Sequence, residues 1–178
     1  MKSFADSLHV VGLWNAKFFA EDLFRESFAS DFPVPPEVSS LSTSARGADW
    51  YQYVAFYKWS EASIEPVGFC NWIRHGDAYL EGGMCVRKNF YRRLSRPHWQ
   101  ECKLRGGIPQ IMMDTAAEKL NDCAAWFGHC GDKKALSVVT RFGYHLTDRP
   151  HVIVKWFRDM PTERKQELID QVAALGPF

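Results

Sequence analysis

The sequence has no apolar run that approaches the ~20 residues of a membrane-spanning helix, so we expect no membrane anchor. It has five cysteines, an odd number, none in a C-x-x-C pair, and no signal-peptide core precedes them in MKSFADSLHV. We therefore expect a reduced, cytoplasmic protein without a metal site. The formal net charge is +1, which gives the chain no overall field to attract nucleic acid or a membrane surface.

What the chain does contain is enough apolar sequence for a core. Of its 178 residues, 46% are hydrophobic and 24% are charged, which predicts one soluble globular domain over residues 1–178. The positive charge is uneven, because the stretch 87–105 holds only one acid. Its basic residues are Arg87, Lys88, Arg92, Arg93, Arg96, Lys103 and Arg105. We interpret this stretch as a basic loop beside a binding site.

Hydrophobic periodicity and turn residues predict both strands and helices. Three consecutive strands, at 50–59, 66–74 and 78–86, are predicted to form an antiparallel meander, with the turn His75-Gly76-Asp77 between the last two. Residues 31–49, rich in proline and serine, are predicted to be a loop. A strand at 124–130 must run parallel to the strand before it, because a helix crosses over between the two. The remaining predicted strands are 8–14, 144–147 and 151–157, and the predicted helices are 15–30, 108–120, 132–142 and 161–175.

Two glycine pairs indicate positions where the backbone forms a bulge or closely approaches a ligand. Gly82-Gly83 lies inside the strand 78–86 and predicts a β-bulge. Gly106-Gly107 follows Lys103 and Arg105 and precedes an amphipathic helix, whose N-terminal N–H groups and dipole suit a pyrophosphate. Pro109, in the first turn of that helix, has no N–H to contribute.

Three motifs resemble those of the GNAT superfamily of acyl-CoA-dependent N-acyltransferases, over roughly residues 50–157. They are Met84-Cys85-Val86 at a strand end, the turn Arg105 to Pro109 opening a helix, and Asp132-Lys133-Lys134-Ala135 followed by Arg141-Phe142-Gly143-Tyr144. The resemblance implies an α/β (α+β) fold with a mixed, mostly antiparallel sheet, a central parallel strand pair and flanking helices.

The resemblance also implies a chemistry, namely transfer of an acetyl group from acetyl-CoA, as co-substrate, to a primary amine of a small molecule or protein. Glu81, one residue before the bulge, is the expected base, and Tyr144 is a candidate acid, since Val139 stands where the family often has a tyrosine. The expected acetyl-CoA contacts are Cys85, Val86, Arg87, Arg105, Gly106, Gly107, Ile108, Gln110 and Asp132. No metal is implied.

Several alternatives stay open at this point. The domain could bind acyl-CoA or a partner protein without catalysing transfer. Cys85 or Cys130, activated by His129, could act as a nucleophile. The aromatic residues Phe90, Tyr91 and Trp99 could stack on single-stranded nucleic acid, although a loop facing CoA accounts for the same residues. The family builds its acceptor pocket from stretches corresponding to 19–49 and 144–151, which show no legible acceptor preference, and homodimerisation through the last strand or helix is also open.

Overall fold

A computed structural model describes residues 2–13, 15–27 and 50–176 of the chain. The strands within these ranges are β1 (Leu8–Leu13), β2 (Trp50–Ser60), β3 (Ser63–His75), β4 (Ala78–Val86), β5 (Ala125–His129), β6 (His145–Leu146) and β7 (Val152–Trp156). The helices are α1 (Phe4–Ser7), α2 (Lys17–Ser27), α3 (Phe90–Arg93), α4 (Arg96–Leu104), α5 (Gly107–Ala117), α6 (Lys133–Arg141) and α7 (Thr162–Ala173). None of the described helices is long and apolar enough to cross a membrane. The predicted loop at 31–49 lies outside the described residues.

The strands form one sheet in the order β1-β2-β3-β4-β5-β7-β6. Strands β2, β3 and β4 form the antiparallel meander that their sequence predicts. Strands β4 and β5 are parallel, because the chain crosses over through α3, α4 and α5 before it returns to the sheet. The remaining pairs are antiparallel, so the expected mixed sheet with one central parallel pair is confirmed.

Side chains alternate between two buried layers, one on each face of the sheet. On one face, Phe4 of α1, Cys102 of α4 and Met112 of α5 belong to the same buried core cluster as Trp72 and Trp126 of the strands. Each fully buried large apolar side chain stabilises the fold by roughly 1.5–3 kcal/mol. On the other face, the buried residues of α2 contact Val54 and Phe69, and those of α7 contact Phe127 and Val152. The helical residues in these two layers are Ala20, Leu23 and Phe24 of α2 and Leu168, Ile169 and Val172 of α7.

The interpretation of 87–105 as a loop is wrong, because most of this stretch forms the helices α3 and α4. Ser95 caps α4 by accepting a hydrogen bond from the N–H of His98, and Pro97 lies in the first turn, where no N–H is needed. Phe90 and Cys102 are buried and anchor the two helices on the core. These helices are too short to show the periodicity on which the prediction relied.

Candidate active site

A cleft opens where β4 and β5 separate. The two strands pair only from Ala78 opposite Ala125 to Glu81 opposite Gly128, and beyond that point they diverge. The gap has a volume of about 350 Å³ and is lined largely by apolar side chains, among them Met84, Val86, Ala135, Val138, Val139 and Ile153. Since β5 no longer pairs with β4 beyond Glu81, the backbone groups that β4 turns toward β5 there face the cleft.

The β-bulge predicted at Gly82-Gly83 is confirmed, and it lies at the point of divergence. Cys70 pairs with Met84 and Trp72 with Glu81, so the two glycines stand opposite the single residue Asn71. Gly83 has φ +120°, a conformation that L side chains rarely adopt. A Cβ on Gly82 would lie 2.6 Å from Nδ2 of Asn71, so the Asn71 amide leaves no room for a side chain at this position. The bulge bends β4 away from β5 and thereby opens the cleft.

Glu81 and Tyr144 form a hydrogen-bonded pair beside the cleft. The Tyr144 hydroxyl donates to Oε2 of Glu81 over 3.2 Å, and the Tyr144 side chain is fully buried. Burial raises the pKa of Glu81 to about 7, and the hydrogen bond from Tyr144 partly opposes this rise because it favours the charged form. Burial also raises the pKa of Tyr144 well above its ordinary value, so this phenol stays protonated. The pair therefore combines a carboxylate that titrates near neutrality with a fixed hydrogen-bond donor.

No protein-family model matches the sequence, and no curated protein matches it in sequence. Solved structures of similar shape include a GNAT family acetyltransferase from Brucella melitensis in complex with acetyl-CoA, at 15% identity and TM-score 0.55 over 86% of this chain and 91% of that one. They also include the ribosomal-protein-S18-alanine N-acetyltransferase from Escherichia coli, at 10% identity and TM-score 0.54 over 87% and 97% of the two chains. Aminoglycoside 6′-acetyltransferase type Ii is a third, at 10% identity and TM-score 0.52 over 86% and 99%. This chain has the GNAT fold.

Three of the residues expected to contact acetyl-CoA line the cleft of this GNAT fold, namely Cys85, Val86 and Asp132. Asp132 is also the N-cap of α6, as predicted, and its Oδ1 accepts hydrogen bonds from the N–H groups of Lys134 and Ala135 at 2.9 and 2.7 Å. Gly106 and Gly107 lie at the start of α5 and line a second cavity beside Pro109. Ile108 is fully buried.

The other expected contacts have different surroundings. Arg87 forms ion pairs with Glu26 of α2 at 2.8 Å and with Glu65 of β3 at 3.0 Å. Arg105 is exposed at the C-terminal end of α4, and Gln110 donates a hydrogen bond to Asp114 along the surface of α5. The roles of Arg87, Arg105 and Gln110 in binding acetyl-CoA stay predictions. In the structure, the two ion pairs of Arg87 join α2 to the sheet.

The cysteines beside the cleft do not have the properties of activated nucleophiles. Burial raises the pKa of Cys85 to about 12, and burial also raises the pKa of Cys130. A thiol in this state is almost entirely protonated at neutral pH, whereas the thiolate is the nucleophile. His129 has its pKa lowered by burial and by the neighbouring His151, whose ring centroid is 5.5 Å away. Among the described residues, no group of three or more metal-ligating side chains forms a cluster.

Sequence reasoning considered Tyr91 only as a residue that could stack on nucleic acid, and it missed the contact of this α3 side chain with the start of α5. The Tyr91 hydroxyl accepts a hydrogen bond of 3.2 Å from the N–H of Ile108. Tyr91 lies in α3, within the stretch interpreted as a loop. No helical periodicity was therefore available to predict which way its side chain points. Most of the stretch 19–49 expected to build the acceptor pocket lies outside the described residues, while 144–151 forms the edge of the sheet around β6.

Proposed function

We propose that this protein is an acetyl-CoA-dependent N-acetyltransferase that acts on a primary amine of a small molecule or protein. The observation that carries the proposal is Glu81, a carboxylate whose pKa is raised to about 7, held by Tyr144 at the opening between β4 and β5. A carboxylate with a pKa near the working pH is suited to general-base catalysis. The likeness in fold to an acetyltransferase solved with acetyl-CoA supports the choice of co-substrate.

The shape of the cleft suits the pantetheine arm of acetyl-CoA. The lining is mainly apolar, as the flexible arm of the co-substrate requires, and the unpaired backbone groups of β4 beyond Glu81 offer hydrogen bonds to its amides. Cys85, Val86 and Asp132 are the expected contacts there. When bound, acetyl-CoA supplies the thioester carbonyl that the amine attacks.

A residue of this chain accepts the proton that the attacking amine loses. The reaction forms a C–N bond and breaks the C–S bond, and it releases one proton from the amine and CoA as a thiolate. Glu81 accepts the amine proton, directly or through a water molecule, and Tyr144 holds the carboxylate in place. Val139 lies beside the cleft where the family often has a tyrosine, so this position provides no acid for the thiolate. A thiol of pKa ~8.5 is a tolerable leaving group without one.

The proposal is tested by mixing the protein with acetyl-CoA and a panel of small amines and N-terminal peptides while the release of free thiol is followed. We expect amine-dependent release, and we expect Glu81→Gln to slow it by roughly 10²- to 10⁴-fold. Glu118→Gln, a change of an exposed glutamate that caps the C-terminal end of α5, is the matched control and should have no effect.

A different result would favour the alternative of a catalytically silent domain. Acetyl-CoA would then raise the melting temperature of the protein, while no amine in the panel increased the release of thiol. Equal rates for wild type and Glu81→Gln would instead contradict the assignment of Glu81 as the base.

A further inference from the structure

A second cavity adjoins the cleft and has no assigned occupant. It has a volume of about 260 Å³ and shares Pro109 and Val138 with the lining of the cleft. We call it the outer cavity. It lies between the helical pair α3 and α4 and the helices α5 and α6, and its other lining residues are Tyr91, Trp99, Cys102, Lys103, Gly106, Gly107 and Arg141.

The outer cavity is positively charged. Lys103 and Arg141 line it, and none of its lining residues is acidic. Lys103 lies over the ring of Trp99, with Nζ 5.1 Å from the centroid, and Nε of Arg141 donates to the carbonyl of Ser137. Within the described part of the chain, neither cation forms an ion pair with a carboxylate. Two cations without counter-charges favour an anionic ligand in this cavity.

The first turn of α5, at the edge of the outer cavity, has few amide hydrogens to offer such a ligand. Pro109 has no N–H, and the N–H of Ile108 already donates to the Tyr91 hydroxyl over 3.2 Å. A helix start normally binds phosphate through these amides. In this chain, two of the first three positions of the helix cannot supply one.

Tyr91 is placed where its hydroxyl can donate a hydrogen bond to a phosphate in place of these amides. Its neighbour Phe90 is fully buried and packs on Tyr57 and Trp59, with ring centroids 5.3 and 5.9 Å away, which holds α3 against the core. The Tyr91 oxygen accepts from Ile108, so the hydroxyl hydrogen is available for donation. Burial raises the pKa of Tyr91 to about 12, so the hydroxyl keeps its hydrogen at neutral pH.

We propose that Tyr91 is the phosphate contact of the acyl-CoA site: its hydroxyl replaces the amide hydrogens of the α5 start, and Lys103 and Arg141 supply the positive charge. This inference rests on the proposed function, because it assigns the phosphates of CoA to the outer cavity and the pantetheine arm to the cleft. It predicts that Tyr91 of α3 and Lys103 of α4 make the protein selective for CoA over pantetheine.

The test compares the dissociation constants of CoA and of pantetheine, which lacks the phosphates, for wild type and Tyr91→Phe. We expect Tyr91→Phe to weaken CoA binding roughly tenfold, as for the loss of a hydrogen bond to a charged group, and to leave pantetheine binding unchanged. Tyr57→Phe is the matched control, because the Tyr57 ring belongs to the same aromatic cluster while its hydroxyl contacts His98. This control should change neither constant.

Other results are distinguishable. Unchanged or tighter CoA binding by Tyr91→Phe would overturn the inference. It would mean that the Tyr91 side chain only blocks access to the N-terminus of α5. Equal losses for CoA and pantetheine would also overturn it, because they would place the effect outside the phosphates. If the wild-type protein bound neither ligand, the proposed function itself would fail.

A second pair of variants examines the charge of the outer cavity. Arg141→Gln should weaken CoA binding and reduce its dependence on salt concentration, whereas Arg92→Gln, on the exposed surface of α3, should do neither. Identical salt dependence in wild type and Arg141→Gln would contradict the assignment of phosphate to this cavity.

Discussion

The hydroxyl of Tyr144 lies 3.2 Å from Oε2 of Glu81, although 63 residues separate the two in sequence. Glu81 is the last residue of β4 that pairs with β5. Tyr144 follows Gly143, which has φ +100° and ends α6, so the chain turns the phenol back into the core. The carboxylate thus receives a hydrogen bond from a residue that is itself held rigidly by packing.

The first prediction concerns the pH dependence of activity. The hydrogen bond from Tyr144 favours the charged form of Glu81, so Tyr144→Phe should raise the pKa of Glu81 above its value of about 7. A base must be deprotonated to act, so we expect the ascending limb of the kcat/KM profile to move upward by about one pH unit. Tyr53→Phe, which changes another buried tyrosine, is the control. A limb that stays in place would show that the hydrogen bond does not tune this carboxylate.

The second prediction concerns stability, and its sign follows from the raised pKa of Glu81. The ordinary pKa is 4.5 and the folded-state pKa is about 7, so the folded state favours the protonated carboxyl. This contribution to stability is fully present below the unfolded pKa and is lost as the pH rises through the folded pKa. Between about pH 5 and about pH 8, the unfolding free energy of wild type should fall by roughly 2 kcal/mol more than that of Glu81→Gln.

Urea denaturation of the two proteins at the two pH values measures this difference. Glu118→Gln should follow wild type, because Glu118 is exposed. A fall of equal size in wild type and Glu81→Gln would mean that Glu81 has an ordinary pKa in the folded protein.

The strands were predictable because each carries its own signal. The aromatic and β-branched run of β2, the turn His75-Gly76-Asp77 and the Gly82-Gly83 bulge are local features, and the structure confirms all three. The helices α3 and α4 were not predicted, since each is too short and has too few apolar residues to form a periodic stripe. Ser95 followed by Pro97 was the available signal, because this pair is typical of a helix start.

The candidate site was predictable only in parts. Resemblance to the GNAT family pointed to Glu81 and Tyr144 separately, and their contact depends on how α6 and β4 meet in the folded chain. The contact of Tyr91 with the start of α5 could not be found from sequence, because the position of Tyr91 follows from the burial of Phe90 beside it. The Arg87 ion pairs with Glu26 and Glu65 are likewise long-range, and they depend on where α2 docks on the sheet.

The third prediction concerns the bulge. A Cβ on Gly82 would lie 2.6 Å from Asn71 Nδ2, so Gly82→Ala should lower the unfolding free energy by about 1–3 kcal/mol. Asn71 is buried, and its amide atoms have no hydrogen-bond partner within the described residues. In the Asn71→Ala background the obstacle is absent, so Gly82→Ala should then cost much less.

A matched strand glycine serves as control for this cycle. A Cβ on Gly12 of β1 would lie 3.5 Å from the Tyr53 ring, an ordinary contact, so Gly12→Ala should be nearly neutral. Denaturation curves of the single and double variants give the coupling energy. Equal costs of Gly82→Ala in both backgrounds would show that Asn71 is not what excludes a side chain at the bulge.

The fourth prediction separates two roles of Asp132, which lines the cleft and caps α6. Its Oδ1 accepts hydrogen bonds from two backbone N–H groups, so Asp132→Ala should lower the unfolding free energy by about 1 kcal/mol. Asp132→Asn keeps an oxygen at the same position and should retain most of the stability. Since a carboxylate repels the phosphates of CoA, Asp132→Asn should bind CoA at least as tightly as wild type. Weaker CoA binding by Asp132→Asn, at unchanged stability, would instead mean that the charged carboxylate of Asp132 contacts the co-substrate directly.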